Sequence, residues 1–198
     1  MSTASTISFP DQVAWSLPSK GRVGIACLIV AESAIFLIFV VAYLYYVGRD
    51  PYGPTPQQVL RLPILNSICL LSSSATITLA IRALRRGSNG IFCFCWLATI
   101  LLGAFFLAGT GREWQHLIYD EGLTIQTNLF GTTFYSLVGL HAFHVIAGLI
   151  MLITVLGLAL AGAVKREHAE RTEVLAIYWH FVDAIWVVVF TVVYVIGR

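Results

Sequence analysis

The chain has 198 residues, of which 58% are hydrophobic and only 11% are charged. Soluble domains carry about 25% charged residues, so this composition and a mean hydropathy of +0.84 indicate a protein that resides in lipid. The formal net charge is only +2 and no long basic run occurs, which argues against nucleic acid as a partner.

Five apolar stretches are long enough to cross a bilayer, which takes about 20 residues of helix. Residues 1–22 come first; they are polar, lack the pattern of a signal peptide, and are interpreted as a short cytoplasmic tail. The predicted spans then run over about 23–47, 62–81, 91–109, 129–161 and 174–196. The fourth is longer than one span requires, so we expect it to tilt or protrude. Because backbone in lipid must satisfy its own hydrogen bonds, the sequence predicts an all-α fold, a polytopic membrane helical bundle of five transmembrane helices.

Basic residues are divided unevenly between the two ends of these spans. Eight lie on the amino-terminal side: Lys20, Arg22, Arg82, Arg85, Arg86, Lys165, Arg166 and Arg171. Four lie on the other side: Arg49, Arg61, Arg112 and Arg198. Since basic residues are enriched in cytoplasmic loops, this asymmetry predicts a cytoplasmic amino terminus and a carboxyl terminus outside.

A carboxyl group, Glu32, lies in the first predicted span. It is about 14 Å along the helix axis at 1.5 Å per residue, near the middle of a hydrocarbon core of about 30 Å. A carboxylate there costs at least about 2.5 kcal/mol, so the side chain must face protein or water, or be protonated. Two interpretations remain open, a proton-linked or subunit-interface carboxyl and a neutral carboxyl hydrogen-bonded within the bundle.

Two histidines, His141 and His144, are three residues apart in the fourth predicted span and share a helix face. Neighbours on one helix cannot bind a haem iron from opposite sides. One of them could pair with His180, but no Cys or carboxylate ligands of clear spacing accompany them, so a metal site is not favoured. We expect interhelical hydrogen bonds instead.

The fifth predicted span carries His180 and Asp183, also three residues apart, flanked by Trp179 and Trp186. Tryptophans near a helix end suit the membrane–water interface, and we predict that both are interface anchors. Because buried ionisable groups need partners, we favour a polar cluster of His180, Asp183 and a group on another helix over simple anchoring. Glu113, which is predicted to end the third span, could face solvent or close a similar network.

Short motifs follow one another along the chain. They are Ala31-Glu32-Ser33, Pro63-Ile64-Leu65-Asn66, Glu113-Trp114, Gly139-Leu140-His141-Ala142-Phe143-His144-Val145 and Tyr178-Trp179-His180-Phe181-Val182-Asp183. In this order they resemble subunit III of the haem–copper respiratory oxidases, in its short five-helix bacterial form. The resemblance covers about residues 21–198.

This resemblance implies a non-catalytic subunit of an aerobic respiratory oxidase, using cytochrome c or quinol, in the bacterial inner membrane. The implied partners are oxidase subunits I and II, membrane lipids and a respiratory supercomplex. The implied roles are to stabilise subunit I, bind phospholipid and support proton uptake. The chain itself would hold no cofactor, metal or redox centre, because haem and copper belong to partner subunits. Structural, proton-linked or lipid-associated roles would fall to Glu32, Glu113, His141, His144, His180 and Asp183.

The histidine content supports a non-catalytic role. A catalytic oxidase subunit needs histidines on several helices for two haems and copper, whereas this chain has five in all. Other functions remain open: an accessory protein of nitric-oxide reductase, which shares the motifs, an independent haem protein, or a small proton-coupled transporter that uses Glu32. The transporter is disfavoured because no inverted repeat is evident.

Overall fold

The computed structural model describes residues 19–49 and 53–197, and this part of the chain is built from helices. The α-helices are α1 (Lys20–Tyr46), α2 (Pro56–Val59), α3 (Ile64–Arg85), α4 (Asn89–Tyr119), α5 (Leu129–Leu160) and α6 (Ala169–Phe190). A 3-10 turn, Arg166–His168, precedes α6, and a π-helical segment, Thr191–Ile196, continues it. Most of the predicted amino-terminal tail, and Arg198, lie outside the described residues.

Five of these helices are long and apolar enough to cross a membrane, namely α1, α3, α4, α5 and α6 with its flanking turns. The predicted polytopic bundle of five transmembrane helices is therefore confirmed. The additional helix α2 is a single turn, which starts with Pro56 and is capped by Thr55 and Gln58. Proline suits this first position because its missing N–H would have no partner there.

Helix α4 is longer than the third predicted span. The predicted span covers residues 91–109, but the helix continues to Tyr119. One face of this polar extension packs on protein, since Leu117 is buried and Glu113 accepts a hydrogen bond from Tyr194. That packing stabilises a segment whose composition is typical of a loop.

Three helices are tied together at the basic end of the bundle. Glu173, at the start of α6, accepts hydrogen bonds from Arg22 of α1 at 3.1 Å and from Arg85 of α3 at 2.6 Å. The amino-terminal ends of α1 and α6 and the carboxyl-terminal end of α3 thus lie together, as an alternating path through a membrane requires.

The tryptophans Trp179 and Trp186 lie inside the bundle, so the prediction that they anchor the chain at the membrane interface is wrong. Their exposed fractions are 0% and 1%. The indole N–H of Trp179 donates to Ser73 at 2.7 Å, and that of Trp186 donates to Ser67 at 3.0 Å. Each indole can be buried because its single N–H group donates a hydrogen bond to a serine hydroxyl of α3.

Candidate functional site

Glu32 and His144 meet across the interface between α1 and α5. Oε2 of Glu32 lies 3.2 Å from Nε2 of His144, and the two side chains are 24% and 7% exposed. The carboxyl group in the middle of the first span therefore has an imidazole partner from a helix more than a hundred residues away in sequence. Such pairing offsets part of the cost of placing a carboxyl group in hydrocarbon.

The second ring nitrogen of His144 determines which protons this pair can hold. Nδ1 lies 2.8 Å from the backbone oxygen of Leu140, and a carbonyl oxygen can only accept, so Nδ1 carries a hydrogen. Nε2 then either accepts from a protonated Glu32 or donates to its carboxylate. These two forms differ only in the position of one proton, so the pair can hold that proton on either side.

The surroundings of the pair are mostly apolar. The ring of Phe36 lies 5.0 Å from the His144 ring between centroids, and Phe36 is 2% exposed. The hydroxyl of Tyr178 donates to the backbone oxygen of His144 at 3.2 Å. A low local dielectric strengthens the hydrogen bond between Glu32 and His144.

His141 lies in a different environment from His144. It is 0% exposed, its ring stacks on Trp186 at 5.0 Å and meets the edge of Phe106 at 5.7 Å. Neither of its nitrogens has a hydrogen-bond partner among residues 19–49 and 53–197, so the expected interhelical hydrogen bond is not present there. The reason is steric, because aromatic rings of α4 and α6 enclose this imidazole.

A second polar cluster joins α3 and α6, and we name it the Ser74 cluster. Its members are Ser74, Thr78, His180 and Asp183. Ser74 Oγ lies 3.0 Å from Nδ1 of His180 and donates to Oδ2 of Asp183. Thr78 Oγ1 lies 3.4 Å from Nε2 of His180. The predicted group on another helix is thus a serine hydroxyl.

Glu113 lies near the opposite end of the bundle and takes no part in either cluster. Its Oε1 accepts a hydrogen bond of 2.9 Å from the hydroxyl of Tyr194. It also lines a cavity of about 200 Å³, together with Arg61, Asn66 and His116. The sequence left open whether Glu113 faces solvent or joins a polar network. In the structure it makes a polar contact between α4 and the π-helical segment.

Sequence reasoning missed three groups that complete these contacts: the hydroxyls of Ser74 and Tyr194 and the backbone oxygen of Leu140. Ser74 stands in the run Ser72-Ser73-Ser74, three consecutive hydroxyls in an apolar span, and such polar positions are a usable signal for contacts between membrane helices. A backbone carbonyl leaves no comparable signal in a sequence.

The described ranges 19–49 and 53–197 bring no three His, Cys, Asp or Glu side chains together in a group that could hold a metal ion. The fold and these contacts together define the class: a polytopic integral membrane protein that holds several ionisable side chains between its apolar helices.

Comparison with known proteins gives the family. The family model described as Cytochrome c oxidase subunit III matches residues 17–198. A cytochrome c oxidase subunit 3 from Synechocystis sp. is 39% identical over 183 residues, covering 90% of this chain and 77% of the relative. The chain belongs to the cytochrome c oxidase subunit III family.

Two further relatives show that the family resemblance extends over oxidases with different names. A cytochrome c oxidase subunit 3 from Alkalihalophilus pseudofirmus is 34% identical over 169 residues, covering 84% of this chain and 82% of the relative. A cytochrome bo(3) ubiquinol oxidase subunit 3 from Pseudomonas aeruginosa is 32% identical over 172 residues, covering 85% of this chain and 81% of the relative.

Proposed function

We propose that this chain is the third subunit of a haem–copper terminal oxidase and assembles with subunits I and II. Membership of the family over residues 17–198 supports this assignment. The names of the relatives, cytochrome c oxidase subunit 3 and cytochrome bo(3) ubiquinol oxidase subunit 3, support a place in an oxygen-reducing complex.

Haem and copper belong to the partner subunits in this proposal. The intramembrane histidines of this chain fit that division. His144 and His180 direct their nitrogens to groups of the bundle, and His141 lies between aromatic rings. These three imidazoles thus have separate neighbours and are not gathered around a common iron. The chemistry that the metals supply, electron transfer to oxygen, takes place beside this chain.

The contribution of this chain is to support proton uptake during oxygen reduction, and the Glu32–His144 pair is the observation that carries this proposal. The pair holds one proton between a carboxyl and an imidazole, both within helices that cross the membrane. Shift of this proton between the two groups keeps the pair neutral overall, and if the pair gains or loses a proton, the resulting charge still has a hydrogen-bond partner inside the bundle.

The outer face of α1 suits contacts with subunit I and with phospholipid. Val30, Leu37 and Ile38 are 71%, 61% and 67% exposed, and they can pack against a partner helix or acyl chains. Lys20 and Arg22 lie at the basic end of the same helix, where an anionic headgroup gains about 1 kcal/mol per nearby cation. Together these contacts would stabilise subunit I at its lipid-facing surface.

The membrane is the bacterial inner membrane in this proposal, with the basic end of the bundle on the cytoplasmic side. The cluster of Arg22, Arg85 and Glu173 gathers helix ends of that side. Positive charge at one end of a bundle is typical of the cytoplasmic side.

The variant Glu32→Gln tests the proton role. Glutamine keeps the shape and can still donate to Nε2 of His144, but it cannot exchange a proton. In the purified oxidase we expect unchanged haem content and initial oxygen consumption, followed by faster loss of activity during sustained turnover.

The matched control is Thr154→Val, because Thr154 is exposed on α5 and its hydroxyl donates only to Ile150 of its own helix. This variant should keep the lifetime of the wild type. A Glu32→Gln enzyme with the wild-type lifetime would contradict the proton role. Loss of the haem signals would contradict the peripheral position of the chain.

A further inference from the structure

A cavity of about 200 Å³ lies between α3 and α6, and its lining reaches from the basic end of the bundle into the membrane. Arg82, Arg85 and Glu173 line it near the helix ends, and Thr78 and His180 line it further in. His180 is seven residues beyond Glu173 on α6, or about 10 Å along the axis. The cavity thus links the aqueous end of the bundle to the His180 imidazole.

The hydrogen bonds around His180 restrict where its protons can be. The hydroxyl of Thr78 donates to the backbone oxygen of Ser74 at 2.8 Å, so its oxygen can only accept from the imidazole. Nε2 of His180, at 3.4 Å from that oxygen, therefore carries a hydrogen whenever this contact is made. Nδ1, on the other side of the ring, faces the hydroxyl of Ser74.

Ser74 has one hydrogen and two neighbours that compete for it, and this allows two arrangements. In the first, a protonated Asp183 donates to Ser74, which donates to Nδ1 of His180. In the second, Nδ1–H donates to Ser74, which donates to the carboxylate of Asp183. The two arrangements are interconverted by the shift of a proton through one hydroxyl.

Asp183 lies at the inner end of this chain of groups. It is 3% exposed, and its second oxygen, Oδ1, has no hydrogen-bond partner in the described parts of the chain. Its Oδ2 contacts Ser74. An ionised carboxylate so enclosed is costly, and the hydroxyl of Ser74 is the group through which a proton can reach it.

We propose that the α3–α6 cavity and the Ser74 cluster form a proton inlet that loads Asp183 from the aqueous phase at the basic end. This second proton-holding site is separate from the Glu32–His144 pair. The step starts with Nδ1 protonated, Asp183 ionised and Nε2 of His180 open to the cavity without its contact to Thr78. A proton from water then binds to Nε2, which makes the contact with the Thr78 hydroxyl. The Nδ1 proton then passes to Ser74 as the hydroxyl proton of Ser74 passes to Oδ2. The products are a neutral Asp183, an intact Ser74 hydroxyl and a neutral His180 with its hydrogen on Nε2, so the cluster has gained one proton.

The charges around the cavity favour transfer of the proton from His180 to Asp183. Arg82 and Arg85 of α3 and Glu173 of α6 face it, and Arg22 of α1 bonds the same glutamate. Three cations against one anion disfavour a lasting positive charge on His180, which is closer to them than Asp183 is. They therefore favour the arrangement in which the proton has moved on to the carboxyl group.

Hydrogen–deuterium exchange of the Asp183 carboxyl group tests the inlet. Infrared spectra of the purified complex, transferred into heavy water, follow the C=O stretching band of a protonated carboxyl, and Asp183→Asn identifies that band by removing it. We expect Ser74→Ala to slow its deuterium shift at least tenfold, because the connecting hydroxyl is lost. Ser74→Thr, which keeps a hydroxyl, should restore fast exchange.

The matched control is Ser72→Ala, since Ser72 is exposed on the same helix and donates only to Cys69 of that helix; it should exchange at the wild-type rate. Thr78→Leu fills the cavity and removes the partner of Nε2, so it should slow exchange as Ser74→Ala does. If the Ser74→Ala protein fails to assemble, Thr78→Leu serves as the test in its place. Wild-type exchange in both Ser74→Ala and Thr78→Leu would overturn the inlet, as would an Asp183→Asn spectrum that loses no carboxyl band. These readouts concern Asp183 and do not depend on the effect of Glu32→Gln on turnover.

Discussion

Two imidazoles in this bundle each have one nitrogen whose neighbour can only accept a hydrogen bond. For His144 this neighbour is the Leu140 carbonyl, and for His180 it is the Thr78 hydroxyl, whose proton is already donated to its own helix. The other nitrogen of each ring is connected to a carboxyl group, directly to Glu32 or through a serine to Asp183. Each imidazole therefore exchanges its proton with the carboxyl group on one defined side.

Nitrogen NMR of the complex with labelled histidine tests this assignment at His144. We expect its Nδ1 to carry a hydrogen, because it faces the Leu140 carbonyl, while the signal of Nε2 responds to Glu32→Gln. His144→Gln identifies the resonances. An unprotonated Nδ1 would show that Leu140 does not determine the tautomer.

The spans themselves could be predicted from the sequence, since about 20 apolar residues in succession are sufficient evidence for a membrane helix. The end of α4 could not, because residues 110–119 are polar and become helical through contacts with distant residues such as Tyr194. The same limit applies to the sites. Glu32 is conspicuous in the sequence, but its pairing with His144 depends on how α1 packs on α5. The depth of Trp179 likewise depends on small residues of neighbouring helices.

Trp179 illustrates how closely the helices approach one another. A Cβ atom added at Gly148 of α5 would lie 2.7 Å from its ring, and one added at Gly103 of α4 would lie 2.8 Å from it. Both distances are shorter than carbon atoms tolerate without movement. The two glycines thus allow one indole to fill the space where α4, α5 and α6 meet.

Gly148→Ala should therefore destabilise the bundle, by about 1–3 kcal/mol if it behaves like other overpacked cores. Thermal unfolding in detergent measures this loss. The control is Gly157→Ala on the same helix, where no atom lies within 4 Å of the added Cβ. This control should leave stability unchanged or raise it by about 0.5–1 kcal/mol, as removal of a glycine from a helix interior does. Equal unfolding temperatures for the two variants would contradict the close packing around Trp179.

At the scale of the whole molecule, the two ends of the bundle differ in charge, and the basic end also holds the mouth of the α3–α6 cavity. Arg82 and Arg85 take part in both features. If the basic end faces the cytoplasm, the proposed inlet draws its protons from that side.

Cysteines introduced one at a time at exposed positions test the orientation. Glu167 lies in the turn before α6 and Gln126 in the loop before α5, at opposite ends of the bundle, and each is replaced by cysteine in turn. A membrane-impermeant thiol reagent applied to intact cells should label Gln126→Cys and leave Glu167→Cys unlabelled until the cells are opened. The reverse pattern would place the basic end outside and contradict the charge-based topology. The unsubstituted chain, which has four cysteines of its own, provides the background.

The membership of this chain in an oxidase is tested most directly by purifying it with an affinity tag in mild detergent and identifying the chains that accompany it. We predict that the subunits of one haem–copper oxidase co-purify in fixed proportion, that the preparation shows haem absorption, and that it consumes oxygen. If the chain were isolated alone, or with haem bound to it in the absence of those subunits, the account would be contradicted.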